Sequence, residues 1–296
     1  MKDKDRDKMM WSNIKKRSAK DKIVFGAICF FSFLSMIPLF LIIWEVVSKG
    51  YKNFNWRLFT QVAPSSMDAL IAKMSGEPIP GGILNGITGT FLIVGLAVLF
   101  TVPLGLFVGI YLSEHRDNKF AQTVSYLTDL LQGMPSIVIG IIAYIWVVKP
   151  LGSYSALAGS VALTIMMLPM VVRSTEETLK MLPHSLKEAG LALGASYTDV
   201  IFKVMVPSGF GGIFTGILLA VSRVMGETAP LMLTALGASV VNWNILEPTA
   251  AIPLLIWDFY NDPNLVDIIW SASLLLLIVI FLLNWLAKIV ARKWKI

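Results

Sequence analysis

The chain has little of what an active centre needs. One cysteine, Cys29, and two histidines, His115 and His184, occur among its 296 residues. A lone thiol has no partner in the chain, so no disulfide and no cysteine-rich metal site forms within it. Cys29 lies in an apolar run and reads as a small filler, and the histidines read as isolated, solvated loop residues. No G-x4-G-K-[ST] loop is present, so ATP binding and hydrolysis are not expected of this chain itself. H-E-x-x-H, G-x-S-x-G and mixed clusters of His, Cys and carboxylate are missing too, and no catalytic or metal site is read. Period-two alternation long enough for barrel strands is absent. So is a convincing repeat between the first and second halves, which weighs against an inverted-repeat carrier.

Charge is also scarce. Only 15% of residues are charged, whereas 56% are apolar. About 20 consecutive apolar residues cross the hydrocarbon of a bilayer, and no soluble core of this size needs runs of that length. Six candidate spans are read, at residues 23–47, 87–112, 124–148, 154–172, 208–236 and 268–290. The expected fold is an all-α integral membrane protein with six transmembrane helices. The first apolar run continues into Ser48-Lys49-Gly50 without a small-x-small cleavage pattern, so it is read as a retained span rather than a signal peptide. Pro38, Pro103, Pro135, Pro169 and Pro230 fall inside or at the edges of spans and are expected to bend or break them. Gly105, Gly109 and Gly140 are expected to let helices approach closely.

Of the 25 Lys and Arg residues, nineteen fall on the side that carries residues 1–22, and five (Lys49, Lys52, Arg57, Lys73 and Lys149) fall on the other. Positively charged loops stay in the cytoplasm, so both termini are expected there. The net charge of +6 then reflects topology and contact with anionic lipid, and no nucleic-acid partner is assigned. The loop at 48–86 is punctuated by Pro64, Pro78, Pro80 and Gly81-Gly82, with room for one short helix near Ser66 to Met74. The loop at 237–267 holds Glu247, Asp258, Asp262 and Asp267 without Lys or Arg, and is expected to form the acidic outer face.

Against this apolar background, Arg223 and Glu227 stand four residues apart within the fifth span. An arginine at bilayer depth costs at least ~2.5 kcal/mol, and such residues usually face a bundle interior or an aqueous pathway. A same-face ion pair between them is expected, with an arriving anion competing for the arginine. Guanidinium stays protonated and its planar fork holds two oxygens of an oxyanion at once. Asp129 and Gln132, ahead of Pro135, are candidates to line the same path, while Met166, Met167 and Met170 are expected to pack in the bundle.

Between the fourth and fifth spans, Pro183 to Ser196 encodes a short helix with marked ends. Ser185 followed by Glu188 fits a capping box, and Gly194 suits the left-handed residue that closes a helix. Leu186, Ala189 and Leu193 offer an apolar face, and the chain restarts near Ser196 to Asp199 before Pro207. Two turns of helix are unstable alone in water, so the segment should dock.

These residues carry a resemblance. Glu188-Ala189, then Gly194, then Val204-Met-Val-Pro207 is similar to the loop E-A-A-x3-G-x9-I-x-L-P of permease subunits of bacterial ATP-binding-cassette importers. Gly190 replaces the preferred Ala and is expected to loosen the helix. Gly226-Glu-Thr-Ala-Pro-Leu, preceded by Arg223, resembles the PstA-type permeases of phosphate-specific importers. The stretches Gly109-Ile-Tyr-Leu-Ser-Glu114, Leu131 to Gly140 and Val172-Arg-Ser-Thr-Glu-Glu177 are similar as well.

The resemblance implies a type I ABC importer permease fold and a multi-pass protein of the bacterial plasma (inner) membrane. It covers about residue 81 onward and implies a permease domain at 81–296 with its coupling loop at 173–206, while charge and hydropathy divide the rest into a basic cytoplasmic tail at 1–22 and a first transmembrane helix with a long extracytoplasmic loop at 23–80. It places Arg223, Glu227 and Arg173 in the substrate path, and Ser185, Glu188, Ala189 and Gly194 in coupling to an ATPase. The partners implied are a PstC-like second permease, PstB-like ATPase subunits that hold the ATP and Mg, and a PstS-like external phosphate-binding protein. The chain itself would be no enzyme and would hold no cofactor. Two other readings stay open: a permease for sulfate or molybdate, and a proton-coupled secondary anion carrier.

Overall fold

The computed structural model describes the backbone of residues 2–293 and the side chains of residues 20–293, so the basic side chains before Ala19 and the final Lys295 lie outside the described residues. The chain divides into two compact units, residues 1–49 and 50–296. The first is the long helix α1 (Lys2–Gly50), whose apolar part includes Pro38 without a break. At 1.5 Å per residue a helix of that length exceeds the roughly 30 Å of bilayer hydrocarbon.

The second unit contains α2 (Ser66–Ser75), α3 (Leu84–Glu114), α4 (Lys119–Gly133), α5 (Ser136–Ala143), α6 (Ala156–Met181), α7 (His184–Ala192), α8 (Phe210–Val224), α9 (Ala229–Met232), α10 (Ile252–Tyr260) and α11 (Val266–Lys293). Among the described residues no strand forms, and a single bridge joins Leu236 to Thr249. Four helices are continuous and apolar enough to span, and two bent pairs bring the number to six.

Those bent pairs refine the expected third and fifth spans. Residues 119–133 and 136–151 meet at 107°, with the break at Met134-Pro135. Residues 197–208 and 210–224 meet at 67° at Gly209, so the fifth span begins before residue 208 and its helix ends at Val224. Each bent pair also contains a π-helical turn, Tyr144–Val148 and Val200–Met205, two residues before Pro150 and Pro207. A proline interrupts the regular hydrogen-bond ladder, and the widened turn accommodates the interruption. Pro103 and Pro169, by contrast, are housed inside unbroken helices.

The core lies along α3 and α6, which pack side by side. A Cβ on Gly105 would sit 2.7 Å from Val171 Cγ1, and one on Gly109 would sit 2.6 Å from Thr175 Cβ. The absent side chains let the two backbones close up, which is how helices associate in lipid where no hydrophobic drive exists between them. Ile93, Ala97, Leu163, Met167 and Val171 fill this seam together with Val224 from α8 and Leu231 from α9. Gly140 of α5 likewise meets Pro230, with 2.8 Å from its would-be Cβ to Pro230 Cα.

The outer connections are more ordered than loops. Segment 51–80 packs within the second unit, and the short helix expected there is α2, capped by the Ser65 hydroxyl, which accepts from the Asp68 amide at 3.2 Å. The segment 237–267 is only partly an acidic face. Pro253 opens α10, whose Leu254, Leu255 and Phe259 turn inward and are buried. Leu236 just before it has φ 63°, a left-handed conformation that strains a side-chain-bearing residue.

Candidate functional site

A groove of about 950 Å³ runs between α4, α6 and α8, lined by Asp129, Gln132, Met170, Arg173, Ser174 and Leu219 among others. Its width comes from α8, where Gly211, Gly212 and Gly216 present no side chain. The fit is tight on one wall: Ser174 Oγ lies 1.5 Å from where a Cβ on Gly216 would be.

Arg173 stands on the groove wall near the end of α6 that leads into α7, and it is not a free cation. Its Nε donates to Asp129 Oδ1 at 2.9 Å, Nη1 to Glu176 Oε2 at 2.7 Å, and Nη2 to the Ser125 carbonyl at 2.9 Å. The Glu176 side chain is only 4% exposed, and it also accepts from Lys180. An enclosed carboxylate is tolerated only when paired, and here two cations share it. Asp129 is 57% exposed on the groove side. The arginine therefore ties α4 to α6 while keeping one edge toward open space. Sequence reading missed Glu176, Lys180 and Ser125. The three- and four-residue spacings of Arg173, Glu176 and Lys180 along one helix were the available signal.

Gly212, Gly216 and Leu219 line the groove at helical spacing, and Arg223 follows four residues later on α8, outside that lining. It is exposed, and its Nη1 lies 3.8 Å from Met170 Sδ, the methionine that lines the groove one turn before Arg173. The expected partnership with Glu227 is absent: among the described residues no ion pair joins Arg223 to Glu227. The helix ends at Val224, and Glu227 lies in the turn before Pro230, half-buried. Four residues place two side chains on one face only where the helix continues. Of the methionines, Met167 is fully buried, while Met166 and Met170 pack against the same core.

The segment around Pro183 forms the short helix α7, but not through the expected box. The helix starts at His184 with Pro183 in the capping position, and Ser185 makes no side-chain cap. Ser196 makes a cap instead, accepting from the Asp199 amide at 3.1 Å as the chain restarts. Gly194 behaves as expected. Its φ is +83°, its N–H donates to the Leu191 carbonyl at 3.0 Å, and the Ala195 N–H reaches the Gly190 carbonyl at 3.3 Å. Leu186 docks among Leu179, Val200, Met205 and Ile213. Glu188 and Ala189 face outward, and Leu193 is 89% exposed. His115 is less isolated than expected, stacking on Tyr111 at 4.5 Å between ring centroids.

A bundle of broken and continuous apolar helices around a groove with arginines, with a docked helix projecting apolar residues at one end, defines a multi-pass membrane transport subunit. Residues 101–296 match the family described as binding-protein-dependent transport system inner membrane component. The chain belongs to that family and, within it, to the PstA-type permeases, as a multi-pass inner-membrane protein. It is 34% identical to the phosphate transport system permease protein PstA of Haemophilus influenzae over 90% of this chain and 92% of that one. It is 36% identical to the probable phosphate transport system permease protein PstA of Methanocaldococcus jannaschii, over 89% and 90%. The fold is similar to that of a chain in the crystal structure of inward-facing conformations of the MetNI methionine ABC transporter, with a TM-score of 0.57 at 20% identity, covering 72% of this chain and 94% of that one.

Proposed function

We propose that this chain is the membrane permease subunit of an ATP-driven importer of inorganic phosphate, and that the groove between α4, α6 and α8 is its half of the substrate path. The observation that supports the reading is an arginine in the groove lining, Arg173, held by Asp129 and Glu176, with a second, Arg223, beside the lining Met170. Phosphate is strongly hydrated, so a low-dielectric passage must replace water with fixed positive charge and donors. Arg223 carries no carboxylate partner among the described residues and offers its fork to an anion directly. At Arg173 an oxyanion would take the place of the exposed Asp129. Glu227, unpaired with Arg223 here, would act on the anion only as a nearby negative charge.

The outward residues of α7, with Ser185, Glu188, Ala189 and the Gly194 cap, form the coupling surface for an ATPase subunit. The ATP and Mg belong to that partner. A second permease completes the path, and an external binding protein delivers phosphate. ATP binding turns the path outward to receive the anion, and hydrolysis resets it inward. The Lys and Arg distribution supports a cytoplasmic side for α7 and both termini.

The test is reconstitution of the chain with its co-expressed partners. Phosphate-loaded binding protein should stimulate both ATP hydrolysis and uptake. Arg223→Ala should lower uptake by about 100-fold, the cost of removing a charged donor from an anion site, with the assembled complex intact. Glu227→Gln should change phosphate affinity or leak. Uptake without ATP would point to a secondary carrier, and equal competition by sulfate or molybdate would point to another oxyanion.

A further inference from the structure

The second span closes on Leu112-Ser-Glu114, and the substrate path makes no use of that carboxylate. Glu114 is the last residue of α3, and its side chain is 10% exposed. A carboxylate so enclosed is costly unless it is paired and hydrogen-bonded. Both of its partners come from the loop. Lys187, on α7, and the Tyr197 hydroxyl, from the restart after Gly194, donate to the same oxygen, Oε2. Lys187 also donates to the Tyr197 hydroxyl at 3.3 Å, and its ammonium lies 4.7 Å from the ring centroid. Burial alone would lower the Lys187 pKa. The hydrogen bonds to Glu114 and Tyr197 outweigh it and hold the ammonium above its ordinary range.

The three side chains link the end of α3, the helix α7 and the segment leading into α8. Elsewhere α7 is held by apolar contacts, with Leu186 in its cluster and Gly190 against Val200. Apolar contact is non-directional and lets packed surfaces slide, whereas a charge-assisted pair fixes one atom against another. Among the described residues, Glu114–Lys187 is the ion pair that joins α7 to a spanning helix. α3 in turn seats Gly105 and Gly109 on Val171 and Thr175 of α6, on either side of Arg173 in sequence.

We propose that Glu114 is a positioning residue for transport: through Lys187 and Tyr197 it passes displacement of α7 to α3, and through α3 to the wall of the groove that carries Arg173. This rests on the reading of α7 as the element that meets the ATPase. The pull acts along a connection that cannot slip without breaking a part-buried charge pair.

The experiment uses the full complex in vesicles, with ATP hydrolysis and phosphate uptake measured in the same sample in the presence of phosphate-loaded binding protein. Glu114→Gln keeps the shape and removes the charge. It should raise the ATP consumed per phosphate moved by about fivefold, the low end of ordinary coupling between sites, with the complex still assembled. Tyr197→Phe removes one hydroxyl, should move the ratio the same way by less, and keeps the test open if Glu114→Gln fails to assemble. Exchanging the pair, Glu114→Lys with Lys187→Glu, should bring the ratio part of the way back. A wild-type ratio in the single variants, or activity lost only in step with lost complex, would overturn this inference alone. A wild-type complex without ATP-driven phosphate uptake would overturn the proposed function together with it.

Discussion

Val200 Cγ2 lies 2.9 Å from the point that a Cβ on Gly190 would occupy, and Val200 is fully buried. Gly190 therefore serves packing, letting α7 settle onto the segment that leads into α8. Alanine in its place gains about 1 kcal/mol of helix propensity, but crowding a filled contact costs about 1 to 3 kcal/mol, and the second effect wins. Gly190→Ala should speed hydrogen exchange of the α7 amides, and adding Val200→Ala should slow it again. Slower exchange in Gly190→Ala alone would contradict the assignment.

The two acidic partners of Arg173 differ in how much they matter. Arg173→Ala leaves the buried Glu176 with Lys180 as its remaining cation and should destabilise the assembled protein by about 3 kcal/mol. Asp129 is 57% exposed, so Asp129→Asn should cost no more than about 1 kcal/mol. Denaturation in detergent compares the two. Equal losses would mean that the exposed Asp129 pair across to α4 matters as much as the buried Glu176 pair within α6.

Gly194 adopts φ +83° with nothing within 4 Å of a would-be Cβ, so backbone conformation alone constrains the position. Gly194→Ala should loosen the end of α7 by about 1 to 2 kcal/mol, and Gly194→Asn by less, because asparagine tolerates this region. Gly194→Pro fixes φ near −65° and removes the donor to Leu191. It should leave ATP hydrolysis running while uptake falls. Tight coupling retained in the proline variant would show that the cap is dispensable.

Asp258 of α10 sits at the rim of a cavity of about 440 Å³ that also includes Asn85, Gly237 and Asp262. Burial raises its carboxyl above the ordinary aspartate range. A group raised in this way favours the fold fully below its unfolded pKa, and that contribution is lost as pH rises through the folded value. At neutral pH the ionised Asp258 disfavours the fold slightly, because solvent reaches its exposed side chain and screens the charge. Asp258→Asn should raise the thermal midpoint at neutral pH and have no effect in acid below the ordinary aspartate range. A lower midpoint at neutral pH would show that the carboxylate is paired in solution.

The apolar runs marked the four continuous spans and the two bent pairs, and the left-handed glycine at 194 was equally plain, because each follows from the requirements of a few neighbouring residues. The Arg223–Glu227 pairing failed because it assumed a continuous helix, and Gly226 and Pro230 end that helix first. The Ser185 cap failed for a related reason: Pro183 starts α7 earlier than the Ser-x-x-Glu spacing suggests. The buried part of segment 237–267 was hidden because its acidic residues have no Lys or Arg beside them and drew the reading, while Leu254, Leu255 and Phe259 turn inward.

What this sequence determined by itself is what short-range physics sets: membrane residence, the break at Pro135, and the residue types fit to meet an anion. Tertiary structure alone decided which charges meet. Arg173 finds Asp129 across 44 positions and Lys187 finds Glu114 across 73. Electrostatic pairing depends on distance in space and on exclusion of water, and neither is encoded in any local pattern of residues.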